Sequence, residues 1–101
     1  MSLDRTFSED GKQLTIFVDE EFDFGKVKDF RIAYTIDSDN VRDIAIDLGK
    51  TKYMDSSAMG MLLNMQKTMQ ENVKSFSIIN CCPQVLKILR IARFDKKFTL
   101  S

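Results

Sequence analysis

The 101 residues contain no histidine and no tryptophan, one proline, two cysteines and four glycines. Each shortage removes a class of function. Without histidine a serine nucleophile has no imidazole base, and no carboxylate pair or lysine at a recognisable spacing replaces it. An enzyme working through Ser56 is therefore disfavoured, and no catalytic residue is assigned. Two cysteines without histidine make a poor zinc site, so neither metal nor cofactor is expected. Cys81 and Cys82 are adjacent. Sequence neighbours rarely bridge, and both are read as reduced thiols of a cytoplasmic protein. Lys50-Thr51 is not preceded by a glycine-rich loop, which removes the phosphate-loop type of nucleotide site. No apolar run approaches the ~20 residues that span a bilayer, and the opening MSLDRTFSED lacks the apolar stretch of a signal peptide. No membrane insertion is expected.

What is present points to a compact folded domain. Apolar residues make up 44% of the chain, and eight phenylalanines supply much of the bulk for a core. A length of 101 residues suits one domain spanning 1–101. Acids and bases balance at 15 each, and this argues against nucleic acid as a partner, since such binders carry a clear basic excess. The charges are unevenly placed along the chain. Residues 1–50 hold twelve acids and seven bases, a net −5, whereas residues 51–101 hold three acids and eight bases, a net +5. In so small a domain the halves should interleave and neutralise each other. A bipolar surface that orients a partner is the less favoured reading.

Hydrophobic periodicity gives the element order. The apolar run ending at Val18, entered from the turn Glu9–Lys12, predicts a strand in a hairpin with Leu3–Ser8. Phe22-Asp23-Phe24 opens a helix, with Asp23 as N-cap and Phe22 and Val27 at the staple positions. Val27, Phe30, Ala33 and Tyr34 recur at helical spacing until Ser38-Asp39-Asn40 ends it. Val41–Leu48 predicts a central strand, and Gly49–Lys52 a turn. A second helix runs from Ser56 to Asn72, with Ala58, Leu62, Met65, Met69 and Val73 on one face and Met59 and Leu63 on its shoulder. Ser75–Asn80 is a short buried strand. Pro83 starts a third helix, where its missing N–H costs nothing, with Val85, Ile88, Leu89 and Ala92 facing the core. Phe94–Leu100 forms a short last strand or an extended tail. Strands alternating with helices predict an α/β fold, with a mixed central sheet of four to five strands and helices packed on it.

The stretch richest in chemistry is Tyr53-Met54-Asp55-Ser56-Ser57-Ala58-Met59-Gly60. It lies where a core strand has ended and an amphipathic helix begins. Aspartate and serine cap helices because their side-chain oxygens accept free backbone N–H groups. On composition and spacing alone, Asp55 or Ser56 is read simply as an N-cap.

Asp55-Ser56-Ser57-Ala58-Met59-Gly60 also resembles the signature of the STAS (anti-sigma factor antagonist) family. That signature runs Asp-Ser-Ser or Asp-Ser-Thr, then Gly, an aliphatic residue and Gly, at the start of the second helix. The order of elements matches this family over essentially the whole chain, including the acidic run that ends in Asp23. The resemblance implies a small STAS-like domain of a bacterial signalling protein, phosphorylated at the serine after the motif aspartate, which is Ser56. Ser57 is the neighbouring hydroxyl and second choice. It implies a partner-binding surface made of Asp23, Asp55, Ser56, Ser57, Met59 and Leu63. For Asp23 the capping role is favoured, and for Met59 and Leu63 a core role. The chain departs from the pattern at Ala58, where glycine is usual. This firms the first turn and could hinder close approach by a kinase.

The resemblance further implies a switch of partners. The unphosphorylated form would bind a protein resembling an anti-sigma factor with a GHKL-type serine kinase fold, and phosphorylation of Ser56 would release it. A PP2C-like phosphatase would reset the switch. The alternative is a STAS subunit that binds constitutively within a larger assembly such as a lipid-transport complex.

Overall fold

A computed structural model describes residues 3–101. The chain opens with β1 (Asp4–Phe7) and β2 (Gln13–Phe17), paired antiparallel. The turn between them is held by Asp10, whose Oδ1 accepts from the Ser8 hydroxyl at 2.7 Å and the Lys12 amide at 3.0 Å. Gly11 sits there at φ +73°, a conformation that favours glycine. These hydrogen bonds hold the Asp10 carboxyl below its usual pKa, the Lys12 amide being the largest cause.

The remaining strands of the main sheet are parallel to β2. They are β4 (Asp43–Asp47), β6 (Ser75–Ile79) and β7 (Thr99–Leu100), giving the order β1-β2-β4-β6-β7. Three helices connect them: α1 (Val27–Thr35), α2 (Ser56–Met69) and α3 (Pro83–Ile91). Every crossover steps in the same direction across the sheet, so the right-handed rule places all three helices on one face. Alternation in burial agrees. Leu14, Ile16, Ile44, Ile46 and Ile78 are all at most 1% exposed, whereas Thr15, Phe17, Ser77 and Ile79 on the other face are half-buried. Helices α1 and α2 add Phe30, Ala33, Tyr34, Ala58, Met61, Leu62 and Met65 to the same core. The five-stranded mixed sheet with helices packed on it is the architecture expected from the sequence.

Several details differ from that expectation. Asp23 caps a 3₁₀ turn, Phe24–Lys26, and the α-helix begins only at Val27. Helix α1 ends at Thr35, before the Ser38–Asn40 segment, because Ile36 is extended and Asp37 has φ 59°. Helix α2 ends at Met69 rather than Asn72, and Val73 reaches the core from beyond it. In α3 only Val85 and Leu89 are buried; Ile88 is half-buried and Ala92 exposed. The chain turns away there, with Arg93 at φ 65° leading into a second 3₁₀ turn, Phe94–Lys96. That turn brings Phe94 and Phe98 inward, with ring centroids 5.6 Å apart, ahead of β7.

A second, two-stranded parallel piece, β3 (Glu21–Phe22) with β5 (Tyr53–Met54), was not expected from the sequence. It places Phe22 opposite Met54, both buried, with Phe22 packed 5.3 Å from the Phe30 ring. Neighbouring hydrogen bonds extend this stitch. The Glu20 carbonyl accepts from the amides of Lys52 and Tyr53 at 2.8 and 3.2 Å, and the buried Thr51 hydroxyl donates to the Asp19 carbonyl at 2.7 Å.

Candidate functional site

The stitch determines the site, because β3 leads directly into Asp23 and β5 directly into Asp55. With Phe22 opposite Met54, the two aspartates occupy the next positions along adjacent parallel segments. Both are extended, and both cap a helical turn. Asp23 Oδ1 accepts from the Gly25 amide at 3.0 Å. Asp55 Oδ1 accepts from the Ala58 amide at 3.0 Å, the bond expected of an N-cap to the third helical residue. Asp55, not Ser56, is therefore the cap of α2.

This leaves Ser56 as the first residue inside α2. It is exposed, and its hydroxyl makes no hydrogen bond with any described residue. Ser57 comes next, half-buried, and turns toward α1. Ala58 is fully buried. Its methyl therefore bears on the core and not on anything docking outside, which corrects the expectation that it would hinder a kinase. Met59 is half-buried against the core, as its shoulder position implies, while Leu63 is 37% exposed and is not core. At 100° per residue, Ser56, Gly60 and Leu63 fall within one 60° sector of α2, so they form an outward ridge.

The structure brings Asp23, Asp55, Ser56 and Ser57 together, with Met59 and Leu63 further along the same helix. It also adds residues that the sequence did not suggest. A groove of about 460 Å³ runs between the start of α1 and α2, lined by Phe24, Val27, Arg31, Ser57, Met61 and Asn64. Phe24 is 69% exposed, and Tyr53, two residues before Asp55, is 53% exposed. The available signal was alternation: Phe22 and Met54 point inward, so a single-residue step places Tyr53 outside. A two-residue strand is too short for that pattern to be read.

Gly60 forms the rim of this groove. It lies inside α2 at an ordinary helical φ, and a Cβ there would meet nothing within 4 Å. The fold itself does not require glycine at this position, although glycine in a helix interior costs about 0.5–1 kcal/mol relative to alanine.

Charge around the site is predominantly acidic. Asp19, Glu20, Glu21, Asp23, Asp47 and Asp55 stand where the strands finish, against Lys26, Lys50 and Lys52. Ion pairs join Lys26 to Asp19 at 3.9 Å and Arg5 to Asp37 at 3.8 Å, both within the first half of the sequence. The halves interleave in the sheet as expected, and five acids of the first half, Asp19, Glu20, Glu21, Asp23 and Asp47, stand at this end. Nearby, Asp47 accepts from the Gly49 amide at 2.8 Å and the Asn80 side chain at 2.9 Å. Cys81 and Cys82 are free and half-buried, and burial pushes the Cys81 thiol up. Among the described residues, no group of three or more Cys, Asp or Glu is placed to hold a metal ion, and no helix is long and apolar enough to cross a membrane.

Ser56 thus stands outward at the first position of a helix capped by Asp55, with Asp23 at the matching position of the adjacent segment. Comparison with known proteins agrees on the class. The family model described as "Mlab, STAS domain" matches residues 6–100, and the chain belongs to the STAS domain family. Among curated proteins it is 42% identical over 94 residues to a STAS-domain containing protein of Pseudomonas aeruginosa (strain UCBPP-PA14), covering 93% of each chain. Among solved structures it is similar in fold to the anti-sigma factor antagonist SpoIIAA in its unphosphorylated form, with a TM-score of 0.82 at 17% identity, covering 99% of this chain and 88% of that one. The Bacillus cell fate determinant SpoIIAA in the phosphorylated form gives a TM-score of 0.72 at 17% identity, over 99% and 91% of the two chains.

Proposed function

We propose that this chain, as a single domain over residues 1–101, is a non-enzymatic, cytoplasmic interaction module switched by phosphorylation of Ser56. The unphosphorylated form binds a protein partner of the anti-sigma factor or serine-kinase type, and phosphorylation releases it. A PP2C-like phosphatase restores the bound state. One observation carries the reading: the Ser56 hydroxyl is exposed and unbonded at the first position of α2, while the cap of that helix is supplied by Asp55. The hydroxyl is thus available to a kinase and is not part of what holds the helix. SpoIIAA, whose fold this chain shares, is an anti-sigma factor antagonist with structures in phosphorylated and unphosphorylated forms, which supports the same reading. The absence of histidine supports a binding role over a catalytic one.

The physics of the switch rests on this placement. Phosphate adds about −1.5 to −2 charge at pH 7. At the N-terminus of a helix that charge meets free N–H groups and the positive dipole end, a favourable effect of about 0.3–1 kcal/mol at an exposed site. The fold therefore tolerates the modification. A partner seated over Ser56 must instead desolvate a dianion beside Asp23 and Asp55, and an unpaired charge at an interface costs about 2–5 kcal/mol. About 1.4 kcal/mol is tenfold in affinity, so the interface term dominates. On this reading the partner covers Asp23, Asp55, Ser56, Ser57 and the outward ridge of α2, and reaches Phe24 and Tyr53.

The test is a pull-down with partners identified by mass spectrometry, then titrations and thermal melts on wild type, Ser56→Ala and Ser56→Asp. Ser56→Ala should bind constitutively. Ser56→Asp should lose part of the affinity, because one carboxylate carries less charge than phosphate. Both should melt within a few degrees of wild type. Phosphate found only on Ser57, or a Ser56→Asp protein that unfolds far below wild type, overturns this reading. Phosphorylation stoichiometry in cells separates it from constitutive membership of a larger assembly, for which Ser56 should stay unmodified.

A further inference from the structure

The large apolar side chains that stay exposed fall mostly in two places. Phe24, Tyr53 and Leu63 belong to the surface around Ser56, whereas Phe7, Ile32 and Ile36, at 37%, 42% and 49% exposed, lie by the open edge of the main sheet. Strand β1 forms that edge and pairs with β2 alone. Helix α1 ends above it: the Arg5 guanidinium donates to the Ala33 carbonyl at 3.0 Å and to the Ile36 carbonyl at 2.5 Å, and Leu3, Arg5 and Ile32 line one small hollow. The direction of the backbone groups along β1 follows from its neighbours. The Ser8 amide donates to the Gln13 carbonyl at 2.9 Å, and on the far side of β2 the Val18 amide donates to the Asp47 carbonyl at 3.1 Å. Because this direction alternates in an antiparallel ladder, Asp4 and Thr6 turn their N–H and C=O groups toward β2, and Arg5 and Phe7 turn theirs to the open side.

We infer that two copies of this chain pair along this edge, β1 against β1, antiparallel about a two-fold axis through Thr6, so that their sheets become one. A two-fold axis perpendicular to the sheet sets each residue opposite one on the same face, so inside the strand the axis passes through Arg5 or through Thr6. Centred on Thr6, Arg5 stands opposite Phe7 of the second copy, and these are the two residues with open backbone groups. Each such pair exchanges two N–H···O bonds, and the symmetry repeats the pair. On the helix-bearing face each guanidinium then lies across from a ring. Within one chain Arg5 already sits 5.1 Å from the Phe7 ring centroid, a cation–π distance. On the other face Thr6 meets Thr6, a favourable cross-strand pair. Centred on Arg5, guanidinium would oppose guanidinium, and like charges directly opposite destabilise. The strand therefore matches its own copy in one register. The same axis brings Ile32 and Ile36 of each copy toward those of the other and gives the exposed apolar groups a partner. One four-residue strand and three apolar side chains per copy make a small contact, so the dimer is weak and reversible. Asp23, Phe24, Tyr53, Asp55, Ser56 and Ser57 take no part, and the pairing is independent of the switch proposed there.

The experiment is sedimentation equilibrium of the full chain from micromolar to millimolar concentration, with amide hydrogen exchange followed by NMR at both ends of that range. A reversible monomer–dimer equilibrium is expected. The Arg5 and Phe7 amides should be protected only at high concentration, and the Thr6 amide at both. Phe7→Lys sets an ammonium group opposite Arg5 of the second copy and should raise the dissociation constant by about tenfold or more. Cross-linking reads the register without depending on that variant. Thr6→Cys places two thiols at the axis, with Cα atoms about 4.5 Å apart, within reach of a disulfide. With glutathione disulfide as oxidant it should give a covalent dimer on a non-reducing gel. Asp4→Cys, also at an exposed position, would lie roughly 14 Å along the strand from its copy and should not, nor should wild type with Cys81 and Cys82. A chain still monomeric at millimolar concentration, a dimer equally strong in Phe7→Lys, exchange at Arg5 and Phe7 that ignores concentration, or cross-linking of Asp4→Cys as fast as Thr6→Cys would each overturn the proposal.

Discussion

The two ends of the sheet use their polar groups in opposite ways. Where the strands finish, carboxylates and hydroxyls are committed to backbone: Asp23 to Gly25, Asp55 to Ala58, Asp47 to Gly49, Thr51 to Asp19. Every such bond fixes a turn or a cap, and the Ser56 hydroxyl is left uncommitted among them. Where the strands start, Lys74, Lys96 and Lys97 are uncommitted together. The first end is a hydrogen-bonded frame around the exposed Ser56, and the second presents three lysines along one groove. Fixing the surroundings of Ser56 makes a change in its charge an event at the surface and not in the fold.

The strongest way to break this comparison is to loosen the frame. Phe22 is fully buried against Phe30, two residues before the 69%-exposed Phe24. Phe22→Ala should cost about 3–5 kcal/mol, read by urea denaturation, and should separate β3 from β5. Phe24→Ala should change stability by less than about 0.5 kcal/mol, as surface substitutions do, while weakening partner binding in the same titration. If Phe24→Ala destabilised as much as Phe22→Ala, the exposed ring would belong to the frame.

A smaller effect sharpens the roles of the two aspartates. Asp55→Ala removes the cap of a fourteen-residue helix and should cost about 0.5–2 kcal/mol. Asp23→Ala removes the cap of a three-residue 3₁₀ turn and should fall at the low end of the same range of about 0.5–2 kcal/mol. Asp23→Asn keeps an acceptor oxygen and should be nearly silent in stability. If it loses partner binding while its chemical denaturation curve stays unchanged, its charge acts at the interface.

These contrasts also show what the sequence could carry. The β1–β2 hairpin was legible because Asp10-Gly11 separates two β-rich runs, and the start of α2 because Asp55-Ser56 directly precedes an apolar helical stripe. Strands β3 and β5 were not legible. Two residues hold no periodicity, and their pairing joins positions more than thirty residues apart. The exposure of Ala92 was missed because the wheel of α3 assumes that the helix stays on the sheet, whereas the left-handed Arg93 ends it. Lys74, Lys96 and Lys97 line one groove only because β6 and β7 pair in parallel register. Ser56, Ser57 and Asp55 were singled out as candidates through a six-residue signature. Phe24 and Tyr53 fall outside that signature and depend on the stitch to stand beside it.

The smallest expected effect has the opposite sign. Gly60 sits within α2 without a backbone conformation that needs glycine and with open space where its Cβ would be. Gly60→Ala should therefore stabilise the protein by about 0.5–1 kcal/mol, a rise in Tm of roughly 4–8 °C per kcal/mol for a domain of this size. The same methyl would stand on the outward ridge between Ser56 and Leu63, at the rim of the groove lined by Phe24 and Met61. A partner that packs closely on the bare backbone there has to give way, and overpacking a well-fitted contact costs about 1–3 kcal/mol. Gly60→Ala should thus melt higher and bind more weakly, a split that neither a damaged fold nor a silent surface site produces. Differential scanning calorimetry and partner titration on one preparation read both quantities. A variant that melts higher and binds as well as wild type would remove the ridge of α2 from the partner surface, leaving the Asp23–Asp55–Ser56 corner as the whole contact.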